Sequence, residues 1–254
     1  MEGYGQIFKN HEGLIAHKWI HYFAIYDRLF SPYRQKNRPL TMLEIGVGRG
    51  GSLEIWKKYL PEGSQIHGVD IDPKCSEIPF SGDIFFHLGS ASDQNFMEKT
   101  FHDLEFDIIL DDGSHLSSDV IKTFEIMFPK LKNGGIFIVE DLHASYWKSH
   151  GGGTRQKGTS IEYFKDFVEA LNVDYIRPET NFFGFSAKDS GRQNYARMIE
   201  SITFFDSICA ITKFSSPKTG PFKWVITGRE NLKGVNCWRN ELEAMEETER
   251  IFGK

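Results

Sequence analysis

Two segments of the sequence, DDGSH (111–115) and EDLH (140–143), each place two carboxylates ahead of a histidine. Each segment follows an apolar run typical of a buried strand, so the two would meet at the carboxyl edge of one parallel sheet. Like charges in such a crevice repel strongly unless a cation neutralises them. Carboxylate oxygens suit Mg²⁺, with Mn²⁺ or Ca²⁺ as alternatives, and the histidines would remain available for proton transfer.

The later residue of each acidic pair is the better candidate for a metal ligand. Successive residues of a strand point to opposite faces, so only one carboxylate of each pair enters the crevice directly. Asp112 and Asp141 lie nearer the open edge, and we expect these two to bind the metal. His115 is the expected general base, because a short turn after Asp112 would direct it at the reacting hydroxyl; His143 is the alternative. The competing interpretation is a pair of solvated acidic turns.

A glycine-rich loop, residues 46–51, directly follows the first apolar run. Glycines let the backbone turn sharply and approach a ligand closely, and the next helix would direct its N-terminus at that ligand. Two cofactor motifs fit. The dinucleotide fingerprint would use Gly46, Gly48 and Gly51. The E-x-G-x-G-x-G loop of class I S-adenosylmethionine (SAM) methyltransferases would use Glu44, Gly46, Gly48 and Gly50.

An acidic residue at the end of the second apolar run, Asp70, supports an adenosine-containing cofactor. A carboxylate there accepts hydrogen bonds from ribose hydroxyls in either NAD or SAM, so it does not distinguish the two. The segment 89–93 would form a wall for the adenine, including Ser90, or would cap the next helix through Asp93. Asp111, at the end of the fourth run, is a further candidate contact of the cofactor. The alternative is a glycine turn and a capping aspartate without a ligand.

Five short apolar runs alternate with helix-compatible stretches in the first part of the chain. Helices are expected between the runs at 52–60, 93–101 and 117–131. This alternation predicts a doubly wound, mostly parallel α/β sheet of the Rossmann-like type, with ligands at the carboxyl ends of its strands. The predicted strands span 41–47, 65–71, 83–89, 106–112 and 135–141.

The region before the first strand predicts a helical N-terminal extension. Residues 14–30 carry apolar side chains at helical spacing, whereas residues 1–13 are polar and predict a loose arm. No linker interrupts the chain, so residues 1–254 are interpreted as one domain. Residues 1–40 would then be its extension and residues 215–254 its C-terminal tail.

The chain after the fifth run departs from the strand–helix alternation. Gly, Ser and His are frequent at first, which is typical of a loop over a site. The expected elements are a mobile loop at 142–160, a helix at about 160–171, two short strands within 201–213 and a charged helix from residue 239.

The composition excludes several classes of protein. The 254 residues include 30 Lys+Arg and 35 Asp+Glu, a formal net charge of −5, whereas nucleic-acid-binding domains are usually basic. No apolar run is long enough to span a membrane, and the N-terminus lacks the apolar core of a signal peptide. Cys75, Cys209 and Cys237 form no CxxC motif and indicate neither a disulfide framework nor a zinc site. A cytoplasmic protein with a small-molecule substrate is expected.

Several motifs together resemble a known enzyme family. The similarity is to the metal-dependent sugar O-methyltransferases of macrolide biosynthesis, which include the mycinamicin and demethylmacrocin enzymes and related rhamnosyl O-methyltransferases. It covers roughly residues 14–215 and is most specific in the segment around the second acidic pair. The motifs are LEIGVGRGGSL (43–53), GVDIDP (68–73), ILDDGSH (109–115) and VEDLHASYW (139–147) followed by GGG (151–153).

This resemblance implies a SAM- and Mg²⁺-dependent enzyme that methylates a sugar hydroxyl. The acceptor would be a glycosylated natural product, as in antibiotic biosynthesis, or a nucleotide sugar. Such enzymes assemble as dimers or tetramers. SAM would bind through Glu44, Gly46, Gly48, Gly50 and Asp70.

The resemblance also implies roles for residues outside the glycine loop. The metal would bind to Asp112 and Asp141, with Glu140 or Asp111 nearby, and His115 would be the general base. Lys18 and His21 would reach the carboxylate of SAM or the substrate, and Tyr146 and Trp147 would lie on the active-site loop.

Two other functions compete with this interpretation. An NAD-dependent oxidoreductase would use the same glycine loop, but it does not account for the two acidic strand ends. A non-catalytic SAM-binding protein would have lost its catalytic edge, whereas both acidic segments and His115 are present here.

Overall fold

The computed structural model describes residues 2–175, 195, 197–223, 225, 227 and 241–253. Its strands are β1 (Thr41–Ile45), β2 (Gln65–Asp70), β3 (Ile84–Leu88), β4 (Phe106–Asp111), β5 (Leu131–Val139), β6 (Ile199–Phe204) and β7 (Cys209–Lys213). They form one seven-stranded sheet in the order β3-β2-β1-β4-β5-β7-β6. The first five strands are parallel, and β7 is antiparallel to both of its neighbours. The predicted doubly wound, mostly parallel sheet is confirmed.

Helices flank both faces of this sheet. Those between the first five strands match the predicted ranges to within a few residues, because the apolar periodicity there comes directly from burial on one face. The helices are α1 (Tyr4–Lys9), α2 (Tyr22–Arg34), α3 (Gly51–Tyr59), α4 (Gln94–Thr100), α5 (Ser117–Met127), α6 (Ser160–Lys165), α7 (Phe167–Leu171) and α8 (Glu241–Phe252).

Buried apolar side chains form a core on each face. One core joins the sheet to α4, α5, α6 and α7 and includes Phe106, Phe124 and Phe137. The other joins the sheet to α1, α2 and α3 and is rich in aromatic residues, including Tyr26 and Trp56. The N-terminal extension is therefore packed against the sheet, with its aromatic side chains fully buried at the contact.

The N-terminal region differs from the sequence prediction. The helix expected at 14–30 begins later, as α2, and part of the predicted loose arm forms α1. The intervening segment lies against the glycine loop instead. The Gly51 N–H donates to the Ile15 carbonyl at 3.3 Å, and the Leu14 N–H donates to the Glu54 carboxylate at 2.7 Å. In a continuous helix the Ile15 carbonyl would instead accept from the N–H of residue 19.

The region after β5 contains more structure than the predicted loop. Two 3₁₀ turns, Leu142–Tyr146 and Lys148–His150, follow the strand, and Ala144 and Ser145 are buried. The backbone packs so closely that a Cβ at Gly152 would lie 2.2 Å from the Ser145 carbonyl oxygen. The predicted helix that follows is divided into α6 and α7. The two predicted short strands are confirmed as β6 and β7, and the charged C-terminal helix as α8.

Cys75 and Cys209 are buried free thiols, and Cys237 lies outside the described residues. Within the ranges that the structure describes, no helix is long and apolar enough to cross a membrane. The interpretation of residues 1–254 as one domain stays a prediction.

Candidate active site at the carboxyl edge of the sheet

Three side chains converge where β4 and β5 end. Asp112, His115 and Asp141 each offer one ligand atom, and these atoms lie within 4.8 Å of one another. His115 Nε2 lies 3.6 Å from Asp141 Oδ2 and 3.9 Å from Asp112 Oδ1. The three side chains are between 22% and 25% exposed, so a ligand can reach them while most of their surface is shielded. We call this group the Asp–His–Asp cluster.

The backbone at two members of the cluster is strained. His115 has φ 56° and Asp141 has φ 49°, in the left-handed region that non-glycine residues rarely adopt. The turn before His115 is held by the Ser114 hydroxyl, which donates to Asp119 at 2.8 Å and accepts from the Leu116 N–H at 3.3 Å. Strain of this kind persists where the surroundings fix it, and it concentrates at functional sites.

A buried ammonium group lies beside the cluster. Lys18 Nζ is 2.6 Å from Asp112 Oδ2, 2.9 Å from Glu140 Oε2 and 3.4 Å from Glu44 Oε1, and its side chain is 3% exposed. Burial alone would lower the pKa of Lys18, but Asp112 and Glu140 outweigh it and raise that pKa well above its usual value. Lys18 is therefore charged and bound to three carboxylates, and its predicted contact with SAM or substrate stays a prediction.

Two buried glutamates complete the surroundings of Lys18. Glu44 accepts from the Ser52 hydroxyl at 2.8 Å, and Glu140 accepts from the Tyr26 hydroxyl. Burial raises the pKa of both glutamates, and the positive charge of Lys18 opposes that rise. Because both oxygens of Glu140 already have donors, it lies outside the Asp–His–Asp cluster, and its role as a metal ligand stays a prediction.

Asp111 differs sharply from its neighbour in the sequence. It is buried, which raises its pKa to about 7, although the Gly113 N–H donates to its Oδ1 at 3.2 Å and opposes the shift. Its other oxygen has no hydrogen-bond partner among the described residues. Asp111 faces a different cavity from Asp112, as the alternation of strand side chains requires.

Two tyrosines of α2 bind carboxylates of the second acidic segment, and the sequence analysis missed both. The Tyr22 hydroxyl donates to Asp141 Oδ1 at 2.6 Å, and the Tyr26 hydroxyl donates to Glu140. Burial raises the pKa of both tyrosines well above the usual value, so both remain protonated donors. The available signal was the four-residue spacing from Lys18 to Tyr22 and from Tyr22 to Tyr26.

The glycine loop adopts the conformation that its sequence requires. Gly46, Gly48 and Gly50 all have positive φ, at 89°, 56° and 85°. Asp70 holds this loop, because its Oδ2 accepts from the N–H groups of Val47 at 2.8 Å and Gly48 at 2.9 Å. Asp70 therefore orders the loop, and its predicted bonds to a ribose stay a prediction.

Two adjoining cavities open at this edge of the sheet. The larger, about 560 Å³, is lined by residues 15–19, the glycine loop and the Asp–His–Asp cluster. The smaller, about 230 Å³, is lined by Ser90, Asp111 and their neighbours. Both are bordered by Gly46, Asp70 and Gly113, so a ligand in one would lie next to a ligand in the other.

The remaining predicted residues lie at different distances from the cavities. Asp93 caps α4 by accepting from the Phe96 N–H at 3.2 Å, as one interpretation of this segment expected. Ser90 lines the smaller cavity, and its role in a wall for the adenine stays a prediction. Glu44 is fully buried beneath the loop and does not line either cavity. His21 contacts the Asp206 carbonyl at 3.3 Å, outside the Asp–His–Asp cluster.

The alternative general base and the loop aromatics lie beyond the cluster. The His143 ring contacts the rings of Trp19 and Trp147, with centroids 5.9 and 4.7 Å away, and its Nδ1 bonds to the Ser207 hydroxyl. Trp147 and Tyr146 are about half exposed and do not line the larger cavity. The geometry therefore favours His115 over His143 as the residue that acts with the carboxylates, and the role of general base stays a prediction.

The strand order and the site find a counterpart among known proteins. A family model described as "Methyltransferase domain" matches residues 43–142, which include the glycine loop and the first acidic segment. A solved structure of the MycE methyltransferase from the mycinamycin biosynthetic pathway, in complex with Mg and SAH, superposes with a TM-score of 0.73. The chain has the Rossmann-like fold of class I methyltransferases, and residues 43–142 match a methyltransferase domain. The resemblance inferred from its motifs is confirmed, and the dinucleotide interpretation of the glycine loop is not supported.

Sequence relatives of this chain carry sugar O-methyltransferase names. Mycinamicin VI 2''-O-methyltransferase of Micromonospora griseorubida is 34% identical over 175 residues, covering 64% of this chain and 43% of the relative. Demethylmacrocin O-methyltransferase of Streptomyces fradiae is 32% identical over 224 residues, covering 82% and 53%. The MycE structure is 26% identical and covers 90% of this chain and 57% of that one. The chain thus spans about half the length of the curated relatives it matches.

Proposed function

We propose that this chain is a SAM- and Mg²⁺-dependent O-methyltransferase that transfers a methyl group to a sugar hydroxyl of a glycosylated small molecule. A nucleotide sugar is the alternative acceptor. The observation that carries the proposal is the Asp–His–Asp cluster, which lies in a cavity that adjoins the glycine loop. The relatives are named as O-methyltransferases of glycosylated antibiotics, and these names support the choice of acceptor.

The donor set of the cluster suits a hard divalent cation. Asp112 and Asp141 each direct one oxygen toward His115, while the other oxygen of each is bound by Lys18 or Tyr22. Two carboxylate oxygens fit Mg²⁺, which keeps its remaining positions for water and substrate. An imidazole ligand would favour a transition metal instead, so with Mg²⁺ bound His115 remains free to act as a base.

The two adjoining cavities suit SAM. The glycine loop offers backbone groups at close range, and the smaller cavity has an apolar wall with Ser90 and an unpaired oxygen of Asp111 as polar features. A protonated Asp111 would be a hydrogen-bond donor, which an adenine nitrogen can accept. Asp70 borders both cavities, where a ribose would link the adenine to the methionine part.

Each part of the site would then have a distinct role in the reaction. When bound, Mg²⁺ supplies positive charge that acidifies a nearby hydroxyl, and SAM supplies an electrophilic methyl group. His115 would take the hydroxyl proton at Nε2, which lies 3.6 Å from Asp141 and 3.9 Å from Asp112. Lys18 neutralises the buried carboxylates beneath, and residues 15–19 shield the cavity from water.

This proposal can be tested by removing the metal and then adding it back. Protein treated with EDTA and shown to be metal-free should transfer no methyl group from SAM to a panel of glycosides and nucleotide sugars. Addition of Mg²⁺ should restore transfer to at least one class of acceptor. Full transfer by the metal-free protein would contradict the role of the metal. Binding of NAD but not SAM in calorimetry would contradict the choice of cofactor.

The proposal extends to assembly and location. The sugar O-methyltransferase resemblance supports a homo-oligomer, a dimer or tetramer, that works in the cytoplasm. Light scattering coupled to size exclusion would measure the mass of the assembly. Fractionation of the producing cells would test the location.

A further inference from the structure

The N-terminal extension contacts three carboxylates at the carboxyl edge with residues spaced four apart. Lys18 Nζ donates to Asp112 Oδ2 at 2.6 Å, and the Tyr22 hydroxyl donates to Asp141 Oδ1 at 2.6 Å. Tyr26, one helical turn further along α2, donates to Glu140. Tyr22 and Tyr26 lie on one face of α2, because residues four apart share a helix face, whereas Lys18 precedes the helix.

Tyr22 makes a pair of bonds to one and the same residue. Its hydroxyl donates to Asp141 Oδ1, and it accepts from the Asp141 backbone N–H at 3.2 Å. These two bonds fix both the side-chain torsion of Asp141 and the orientation of its peptide group. Asp141 has φ 49°, so this restraint acts where an unrestrained non-glycine backbone would relax to a more favourable region.

This restraint gives the two carboxylate oxygens of Asp141 different surroundings. Oδ1 is occupied by Tyr22, whereas Oδ2 faces His115 Nε2 at 3.6 Å. The tyrosine itself is firmly held, because Tyr22 is fully buried and its ring contacts those of His21 and Tyr26 at 4.6 and 6.1 Å. A carboxylate ligand whose second oxygen is hydrogen-bonded by a fixed partner is pre-organised for metal binding.

We propose that Tyr22 is a positioning residue, whose hydroxyl holds Asp141 in the conformation that presents Oδ2 to a divalent cation at the Asp–His–Asp cluster. The proposal rests on the metal site of the proposed function. Tyr22 offers no ligand atom to the cation and acts only through its hydrogen bonds to Asp141. Loss of the hydroxyl leaves Asp141 free to rotate and to relax its backbone, so the cation must order the carboxylate as it binds.

Tyr22→Phe removes the hydroxyl with little change in shape, and Tyr33→Phe is a matched control. Tyr33 lies on the same helix and donates one hydrogen bond, to the Gly134 carbonyl at 3.0 Å, away from the cluster. Mn²⁺ serves as the probe, and its dissociation constant is measured by electron paramagnetic resonance without SAM or acceptor. We expect Tyr22→Phe to raise that constant about 10- to 100-fold and Tyr33→Phe to change it less than about twofold.

Two further readouts separate positioning from general damage. Both variants should bind S-adenosylhomocysteine with wild-type affinity, and their thermal unfolding midpoints should be similar to each other. Equal Mn²⁺ affinity in the two variants would overturn the proposal. A wild-type protein that binds SAM but no Mn²⁺ would overturn the metal part of the proposed function and this proposal with it. Normal Mn²⁺ binding by the wild type without methyl transfer would contradict only the proposed function.

A second measurement keeps the hydroxyl and does not depend on the folding of a variant. 3-Fluorotyrosine is placed at position 22 or, as the control, at position 33, and the ¹⁹F resonance is followed while Mg²⁺ is added. The resonance at position 22 should shift on saturation with Mg²⁺, because the cation withdraws charge from the carboxylate that the hydroxyl contacts. The resonance at position 33 should not move. An unchanged resonance at position 22 on saturation would overturn the proposal.

Discussion

The two ends of strand β4 both carry buried aspartates, but their surroundings differ completely. At the amino end, Asp107 accepts from Arg38 at 2.6 Å, from Lys132 at 2.9 Å and from the Thr41 N–H at 3.0 Å. Burial alone would raise its pKa, but these donors outweigh that effect and lower it. Every oxygen of Asp107 is satisfied, and nothing is left to bind a ligand.

At the carboxyl end of the same strand, the hydrogen-bonding capacity is incomplete. One oxygen of Asp111 has no partner among the residues the structure describes, and one oxygen of Asp112 faces only His115, at 3.9 Å. A buried carboxylate is costly unless it is fully paired, so a fold that needed only stability would not retain this arrangement. Unused capacity, rather than burial or charge, distinguishes the functional end of β4 from the structural one.

The largest effect is expected for His115→Ala, which tests the functional end. If His115 is the general base, kcat should fall by about 10²- to 10⁴-fold while SAM affinity changes little. His102→Ala is the control, because His102 also contacts an aspartate, Asp103 at 2.6 Å, but is exposed and distant from the cluster. Steady-state kinetics of both variants make the comparison. Near-normal turnover in His115→Ala would move the role to His143.

At the structural end, Asp107→Ala should act on stability instead. The change leaves Arg38 and Lys132 without their carboxylate and removes the partner of a backbone N–H. Both cations are partly exposed and can rehydrate, so we expect a loss of about 3 kcal/mol, at the lower limit for a broken buried pair. Urea unfolding measures the loss. A large fall in Mn²⁺ affinity with unchanged stability would reverse the assignment of the two ends.

A smaller and pH-dependent effect is expected for Asp111→Asn. Burial raises the pKa of Asp111 to about 7, so between its ordinary pKa and that value the folded state binds a proton that the unfolded state has lost. The contribution of Asp111 to stability is therefore intact at low pH and declines as pH rises to about 7. The variant cannot ionise and should be more stable than the wild type by about 2 kcal/mol at pH 8, and by clearly less at pH 5.

Urea unfolding at the two pH values provides the measurement. An advantage of the same size at pH 5 and pH 8 would show that ionisation of Asp111 is not its cause. The SAM affinity of Asp111→Asn is a useful second measurement, because the asparagine amide still offers a hydrogen-bond donor to the smaller cavity.

The smallest effect is expected for Asp70→Ala, where structural and functional bonds coincide. Asp70 orders the glycine loop through two backbone N–H groups and borders both cavities. Removal of charge-assisted bonds should weaken SAM binding roughly tenfold. Asp72→Ala is the control, because Asp72 accepts only from the Lys74 N–H at 3.0 Å in the adjoining turn. Calorimetry that finds equal SAM affinity in both variants would remove Asp70 from the cofactor site.

The sheet and the glycine loop could be predicted because their signals are local. A parallel strand buried on both faces is a continuous apolar run, and a turn with positive φ demands glycine at fixed positions. The acidic strand ends could be placed together for the same reason, since the topology follows from the alternation of strands and helices. The alternation of side chains along a strand predicted that only one of Asp111 and Asp112 enters the crevice directly, and the two do line different cavities. The choice of Asp112 as the metal ligand, made from its place nearer the open edge, stays a prediction.

The N-terminal extension could not be predicted to the same degree because its structure depends on distant partners. Tyr22 and Tyr26 lie 119 and 114 residues from the acids they bind, and their helical spacing indicated only a buried face. The segment before α2 has the periodicity of a helix, yet its backbone bonds to the glycine loop prevent one. Local periodicity indicates that a side chain is buried, but it does not indicate which polar atom a buried hydroxyl contacts.

One residue of the glycine loop, Gly46, also packs against the backbone of the first acidic segment, so the two proposed ligand sites are physically linked. A Cβ at Gly46 would lie 2.1 Å from the Asp112 carbonyl oxygen, so any larger residue there must displace the backbone of a candidate metal ligand. A substitution at Gly46 would therefore produce a combined defect, in the SAM pocket and in cation affinity at once. Genetic separation of the two ligands must use other positions, and the sequence at residue 46 is constrained from both sides.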